Sequence, residues 1–365
     1  MANQFITVKQ VAQEALLQLS NTTVMQGLVH TDYANEFKKQ GDTVQIRKPS
    51  TFVAKEFDKK IELQEINESS IDVKMDKIAD VSVPITSKEM TQNIEDFNIQ
   101  VLSPAVSALS QKIDMDIMSL YADIPYFYGV AGHSPDSLDY FAQAGKVLNN
   151  NKVPLSDRRL VFDPEAQARL LTIPSIVNAE KSGSTDALRN ASIGKIMGFD
   201  NFMSQNVYTH EAGTYALATD VKATGTKGKY SVTLTGKGSG KLVKGDLLVI
   251  TGKQYVVTAN TDEAVSGQIT ASVYPALANN YSGTDVQLIS VHISNVAFHK
   301  NAFAFVSRPL EKPIGGADSH VESYKGLSIR VTFDYDIKEK TNILSFDALY
   351  GIKTLQPELA CRVLG

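Results

Sequence analysis

Three stretches of the chain carry residue types that could do chemistry. Gly236-Lys237-Gly238-Ser239-Gly240-Lys241 offers the glycines and lysines of a phosphate cradle. A phosphate loop needs Ser or Thr after its lysine to reach Mg²⁺, and a first glycine five residues before its second. Leu242 follows Lys241 instead, Thr235 stands where that first glycine belongs, and Lys241 occupies the third-glycine place of a dinucleotide fingerprint. A mobile β-loop is the reading that remains. His210-Glu211 could open a zinc-protease helix, but its second histidine would fall at position 214, which is Thr214. Asp334 and Asp336 could chelate a cation or act as an acid–base pair; equally, they form the polar face of an alternating strand, with Arg330 on that face to compensate.

His30, His133, His210, His292, His299 and His320 are scattered without ligand spacing, and His292 and His299 sit among apolar residues that suit packing or hydrogen bonding. Cys361 has only Arg362 as a basic neighbour. A thiolate nucleophile needs an electropositive partner, so Cys361 reads as a small buried residue. The sequence therefore assigns no catalytic, cofactor-binding or metal-binding residue.

Composition narrows the class. The chain has 365 residues, 43% of them hydrophobic, enough for a sizeable core in two or three domains. Net charge is −4 and pI about 5.9, which argues against the lysine and arginine excess that gripping many phosphates requires. A single cysteine allows no internal disulfide and fits a reducing cytoplasm or indifference to redox. No basic segment followed by an apolar run opens the chain and no stretch approaches 18 apolar residues, so neither a signal peptide nor a membrane span is expected.

The elements follow from periodicity. Val8, Val11, Ala12, Ala15, Leu16 and Leu19 recur at helical spacing behind Thr7 as cap, giving an apolar stripe expected to dock on a neighbouring copy. Over residues 42–85 apolar positions alternate at Val44 and Ile46, Ile61 and Leu63, Ile71, Val73 and Met75, then Val81, Val83 and Ile85, which means strands. Residues 55–80 hold five Lys and eight Asp or Glu, with turns at Pro49 and Asn67-Glu68-Ser69-Ser70. A long two-stranded arm projecting from the body accounts for this pattern better than a solvated loop, because disorder would not keep the alternation. Thr86 and Glu89 match a capping box. Ser103-Pro104 starts a spine helix to Tyr121, about 27 Å long. The same Ser/Asp-Pro start recurs at Ser134-Pro135 and Asp163-Pro164, and Arg159–Phe162 reads as a buried strand. Residues 213–286 hold ten of the 23 glycines and no Phe, with short β runs and a Gly252-Lys253 hairpin turn, so they form a small all-β insertion. Two alternating strands close the chain. Ile329, Val331, Phe333, Tyr335 and Ile337 share one face and are expected to pack on the spine helix; Leu344, Phe346, Ala348, Tyr350 and Ile352 share a face of the other.

Several segments together resemble one family. Ser87-Lys88-Glu89 with Ile94-Glu95-Asp96-Phe97, Ser192 to Asp200 with Gln205-Asn206-Val207, Asn295 to Phe303 with Arg308-Pro309-Leu310, and Leu349-Tyr350-Gly351-Ile352 with Gln356-Pro357-Glu358-Leu359-Ala360 are similar to tailed-phage major capsid proteins. The resemblance covers essentially the whole chain. It points to the short-tailed-phage coat-protein group, whose Hong Kong 97-type fold carries an inserted β domain; Leu242, Gly245-Asp246, Ile250 and Gly252 resemble part of that domain. It implies an α+β fold with an N-terminal arm and helix (1–41), an extended β-hairpin loop (42–85), a peripheral domain with the spine helix (86–133 and 287–365), an axial domain (134–212) and the insertion (213–286). It implies a virion subunit, not an enzyme and without a cofactor, that self-assembles as hexamers and pentamers into an icosahedral shell around double-stranded DNA it does not read. A separate scaffolding protein, a portal protein and assembly in the host cytoplasm go with it. The alternatives are an encapsulin-like nanocompartment shell holding enzyme cargo, which usually lacks such an insertion, and a metal-dependent enzyme using Asp334 and Asp336.

Overall fold

The computed structural model describes residues 8–31, 43–47, 70–85, 101–183, 185–315, 317–324, 326–337 and 341–365. The expectations for Thr7, Pro49, Ile61, Leu63, Asn67-Glu68-Ser69, the capping box of Thr86 and Glu89, and the resemblance at Ser87–Phe97 lie outside these residues. Two compact units emerge: Met1–Thr23, His30–Lys112 and Ala304–Leu355 form one, and Val24–Val29, Ile113–Phe303 and Gln356–Gly365 the other. Strands are numbered in chain order below.

In the first unit Thr43–Arg47 (β1) and Ser70–Lys74 (β2) pair antiparallel, with Val44 opposite Val73 and Ile46 opposite Ile71. Period-2 geometry puts those four side chains on one face. That face packs with Met75, Val306 and Leu355, while Gln45, Asp72 and Lys74 face solvent. The thin apolar stripe thus roots the ribbon on its own chain. Gly351 marks the closest approach, since a Cβ there would come within 2.4 Å of the Lys74 carbonyl oxygen.

Lys77–Ile85 (β3), which alternation placed in the arm, belongs instead to the main sheet. It runs along Thr341–Thr354 (β19), from Lys77 opposite Tyr350 to Ile85 opposite Asn342. That sheet has the order β16–β19–β18–β17, where β16 is Phe303–Arg308, β17 Asp318–Tyr324 and β18 Leu327–Asp336, with β3 also on β19. The helix on it is Val8–Thr22 (α1), which lies against β17 and β18 and buries Val11, Ala12, Ala15, Leu16 and Leu19. Two expectations are corrected here. The α1 stripe is covered within its own unit rather than by a neighbouring copy, and the terminal strand packs on α1, which the sequence had not paired with it. Burial along β18 also fades: Ile329 and Val331 are buried, Phe333 is half-buried, and Tyr335 and Ile337 are 51% and 80% exposed. On β19 the alternation holds, with Leu344, Phe346, Ala348 and Tyr350 buried.

The spine helix is Ser103–Met118 (α2), tightened into a 3₁₀ turn over Ser119–Asp123, so it is shorter than expected. In the second unit a mixed sheet has the order β4–β20–β15–β5–β7–β6. Its members are Phe127–Tyr128 (β4), Arg158–Phe162 (β5), Lys195–Ile196 (β6), Phe199–Met203 (β7), His292–His299 (β15) and Ala360–Leu364 (β20), and Thr209–His210 (β8) pairs with β15. Helix Asp139–Asn150 (α3) covers it, burying Tyr140, Phe141, Ala144 and Leu148 in a core with Leu160, Phe162, Ala297, Cys361 and Val363. This helix starts at Asp139, not at Ser134-Pro135. At Pro164–Leu170 (α4) the expected start holds: the Asp163 carboxylate accepts from the N–H groups of Glu165 and Ala166.

The glycine-rich segment closes into a six-stranded barrel in the order β10–β13–β12–β11–β14–β9. Its strands are Thr219–Gly225 (β9), Ser231–Lys237 (β10), Leu247–Ile250 (β11), Lys253–Val257 (β12), Gln268–Tyr274 (β13) and Tyr281–Leu288 (β14). Closure removes free sheet edges, so short strands suffice. Val232, Leu234, Leu248, Ile250, Tyr255, Val257, Ile269 and Ala271 fill the interior, where the hydroxyls of Tyr255 and Tyr281 meet at 2.9 Å. The β11–β12 turn is Thr251-Gly252, one residue earlier than expected. Ile250 pairs with Lys253, and both turn residues have positive φ (49° and 73°), the geometry of a type I′ hairpin.

Candidate functional site

The chain leaves the mixed sheet for the barrel after β8 and returns at β15, and these two strands pair with His292 opposite His210. Both crossings therefore lie side by side in one neck. Next to it Leu247 and Val256 of the barrel pack with Phe127, Ile289 and Leu364 in a small apolar joint. The Gln254 side chain copies a strand partner there: its amide donates to the Phe127 carbonyl (2.8 Å) and its oxygen accepts from the Phe127 N–H (3.1 Å).

Beside the apolar joint sits a buried polar network. His210 Nε2 lies 2.9 Å from Asp246 Oδ1 and its Nδ1 lies 3.0 Å from the Tyr121 hydroxyl. A neutral imidazole fits both, donating from Nε2 to the carboxylate and accepting the tyrosine proton at Nδ1. Asp246 also accepts from the N–H groups of Gly213 (3.1 Å) and Val243 (2.8 Å). The Arg362 guanidinium sits 5.1 Å from the Tyr121 ring centroid and donates from Nη1 to the Gly245 carbonyl at 2.8 Å. Arg362 is wholly buried, and desolvation pulls it down to about 10, against the opposing pull of Tyr121, Asp123 and Asp246. The His292 ring, 5.1 Å from that of His210, is pushed down to about 4, first by burial and then by Arg362 and His210. The carboxylates of Asp123 and Asp246 thus offset the Arg362 cation, and the histidine beside Arg362 stays neutral. The network ties the end of the spine helix (Tyr121), the neck (His210, His292), the barrel (Asp246) and the last strand (Arg362).

The residues singled out for chemistry fall elsewhere. Asp334 is exposed and accepts from the N–H of Tyr335; Arg330 turns from it across the ladder to Asp347, at 2.6 and 2.9 Å. Among the described residues no group of three or more His, Cys, Asp and Glu could hold a metal. Gly236 and Lys237 end strand β10 rather than opening a loop, with Gly236 N–H donating to Gly267 and Lys237 paired to Asp220 at 2.7 Å. Burial pushes the Cys361 thiol up to about 12, so it stays protonated and inert. His292 is packed and bonded to the Ser290 carbonyl, and His299 Nδ1 accepts from Asn301 N–H. Spacing did not join His210 to His292, since 82 positions separate them and only strand pairing unites them. Arg362 carried a legible signal, a lone charge inside the apolar run Leu359 to Leu364.

The fold thus combines a mixed sheet under helices, a rooted ribbon, a spine helix and an inserted closed barrel. A chain of Mycobacterium phage Che8 shares this fold, with TM-score 0.52 and 16% identity over 93% of this chain and 90% of that one. Two further neighbours are the capsid of Ralstonia phage GP4 (TM-score 0.49, 10% identity, 89% and 83% covered) and that of Cyanophage P-SCSP1u (0.47, 12%, 89% and 84%). No curated protein matches the chain. The family model described as P22 coat protein, gene protein 5, matches residues 1–257. The chain belongs to the P22 coat protein family: it is a phage major capsid protein, a structural subunit of an icosahedral virion shell.

Proposed function

We propose that this subunit assembles as hexamers and pentamers into a shell that encloses double-stranded DNA without reading its sequence, guided by a separate scaffolding protein and closed at a portal in the host cytoplasm. The chain itself performs no catalytic step. In this reading residues 42–85 are the extended loop, whose last strand β3 returns into the main sheet along β19, 86–133 and 287–365 the peripheral domain, 134–212 the axial domain, 213–286 the insertion and 1–41 the N-terminal arm. The match to the coat-protein family over residues 1–257 carries the proposal. The closed barrel supports it over a nanocompartment shell, and the net charge of −4 suits a wall that contains DNA without gripping it. Exposed Leu17, Ile78, Met197, Tyr335 and Ile337 supply apolar area of the kind subunit contacts use. Negative-stain microscopy of the purified protein, expressed with its scaffold, should show closed particles of uniform size. Small oligomers under every assembly condition, or protein cargo in place of DNA in mature particles, would overturn it.

A further inference from the structure

The network at the barrel root is incomplete in a way that specifies what completes it. Arg362 Nε and Nη2, His292 Nε2 and Ser294 Oγ are buried and make no hydrogen bond to any described protein group. Their residues are 0%, 2% and 0% exposed, so bulk solvent does not satisfy them. Buried polar atoms are paired in nine cases out of ten or more, because an unpaired one has lost its water without a replacement. Several orphans in one place therefore point to a shared ligand.

Register puts these side chains on one face of the sheet. On the β15–β20 ladder Val296 faces Arg362 and Ser294 faces Leu364. Cross-strand partners project to the same side, and alternation carries that side to His292. Arg362, Ser294 and His292 thus share one face of the sheet, and Asn295 and Val363 take the other. The charge of Arg362 is felt at His292, one of the causes of its lowered proton affinity.

The donor and acceptor roles then select the ligand class. His292 Nδ1 lies 2.8 Å from the Ser290 carbonyl, which only accepts, so the ring proton is on Nδ1 and Nε2 offers a lone pair. Arg362 Nε and Nη2 only donate, and the Ser294 hydroxyl does either. An anion would satisfy Arg362 but would meet the Nε2 lone pair, in a site where Asp246 already offsets the cation. A metal ion would suit Nε2 but would be repelled by the guanidinium. A molecule that accepts from Arg362 and donates to His292 satisfies both, and water does so with its two lone pairs and two protons. We infer that the root of the barrel is an internal water site, in which one or more buried waters bridge Arg362, His292 and Ser294 and complete the link between barrel and sheet.

The test is a cryo-microscopy map of the assembled shell at a resolution that shows ordered water. Solvent density should lie within about 2.7–3.2 Å of Arg362 Nε or Nη2 and of His292 Nε2. It should be unchanged when chloride in the buffer is replaced by iodide, and it should weaken or vanish in His292→Phe. Arg362 and His292 satisfied by protein groups alone, or a peak that strengthens with iodide, would overturn the inference. If His292→Phe gives no shells, the wild-type maps in the two halides still decide it.

Discussion

At the scale of single residues, two buried groups of the second unit pull the acid stability of the molecule in opposite directions. Asp114 on the spine helix accepts from the N–H groups of Val24 (2.9 Å) and Met25 (3.0 Å), but burial outweighs those bonds and raises it to about 6. Between the unfolded value near 3.8 and the folded value, the native state holds the extra proton, so this group's contribution falls as pH rises through that window. His292 is the reverse. Its folded value of about 4 lies below the usual 6.5, the unfolded chain takes up the proton first, and its contribution falls as pH drops from 6.5 toward 4. Asp114→Asn should therefore gain on wild type by on the order of 2 kcal/mol as pH rises from about 4.5 to 7.5, while His292→Phe gains by a similar amount in the opposite direction. Urea unfolding of the subunit at a series of pH values reads both, and parallel curves for all three proteins would contradict the assignment. The terminal strands give a second comparison. Phe346 is fully buried on β19, so Phe346→Ala should cost about 3–5 kcal/mol. Half-buried Phe333→Ala should cost clearly less, and exposed Asp334→Ala under about 0.5 kcal/mol. Melting temperatures rank the three, and a Phe333 variant as damaged as Phe346 would mean that the end of β18 is covered in the isolated subunit.

At the scale of elements, the barrel and its neck are separable in stability. The barrel has its own closed ladder and its own apolar interior. Residues 213–288 expressed alone should give a β-rich spectrum and a cooperative melt; a random-coil spectrum would show that the barrel needs the sheet beneath it. The neck depends instead on the polar network. Asp246→Ala strands the N–H groups of Gly213 and Val243, the His210 proton and the Arg362 charge at once, a loss on the order of 3–5 kcal/mol. Hydrogen exchange in that variant should rise first at β8, the start of β15 and Gly245 while the barrel strands stay protected. Uniform loss of protection across the barrel would mean that Asp246 supports the fold of the barrel and not its attachment.

At the scale of the whole molecule, the ribbon of β1 and β2 buries one face on its own chain. Deleting 55–68 should leave a soluble, cooperatively folding subunit that no longer closes into shells, since an arm of this charge density suits wet contacts between copies. Sedimentation and negative-stain images of the deletion, set beside its unfolding curve, separate folding from assembly. Normal particles from it would remove the arm from the assembly scheme.

What the sequence determined by itself was whatever rests on local period and on turn chemistry. The α1 stripe from Val11 to Leu19, the start of α4 at Asp163-Pro164, the alternation of Leu344 to Tyr350 and the glycine-rich β character of the insertion all follow from spacing within one element. Whatever rests on two segments meeting was decided only in three dimensions. Alternation says that Val81 and Val83 sit on a strand but not which strand is its partner, and the partner proved to be β19. It says that β18 has an apolar face but not that α1 covers it, nor where burial fades toward Tyr335. The barrel root is the extreme case. Tyr121, His210, Asp246, His292 and Arg362 come from five stretches of chain, and apart from Arg362 in its apolar run each alone resembles an ordinary polar residue. Their shared chemistry exists only because the pairing of β8 with β15, and of β15 with β20, brings them into one buried space where every hydrogen bond must be answered.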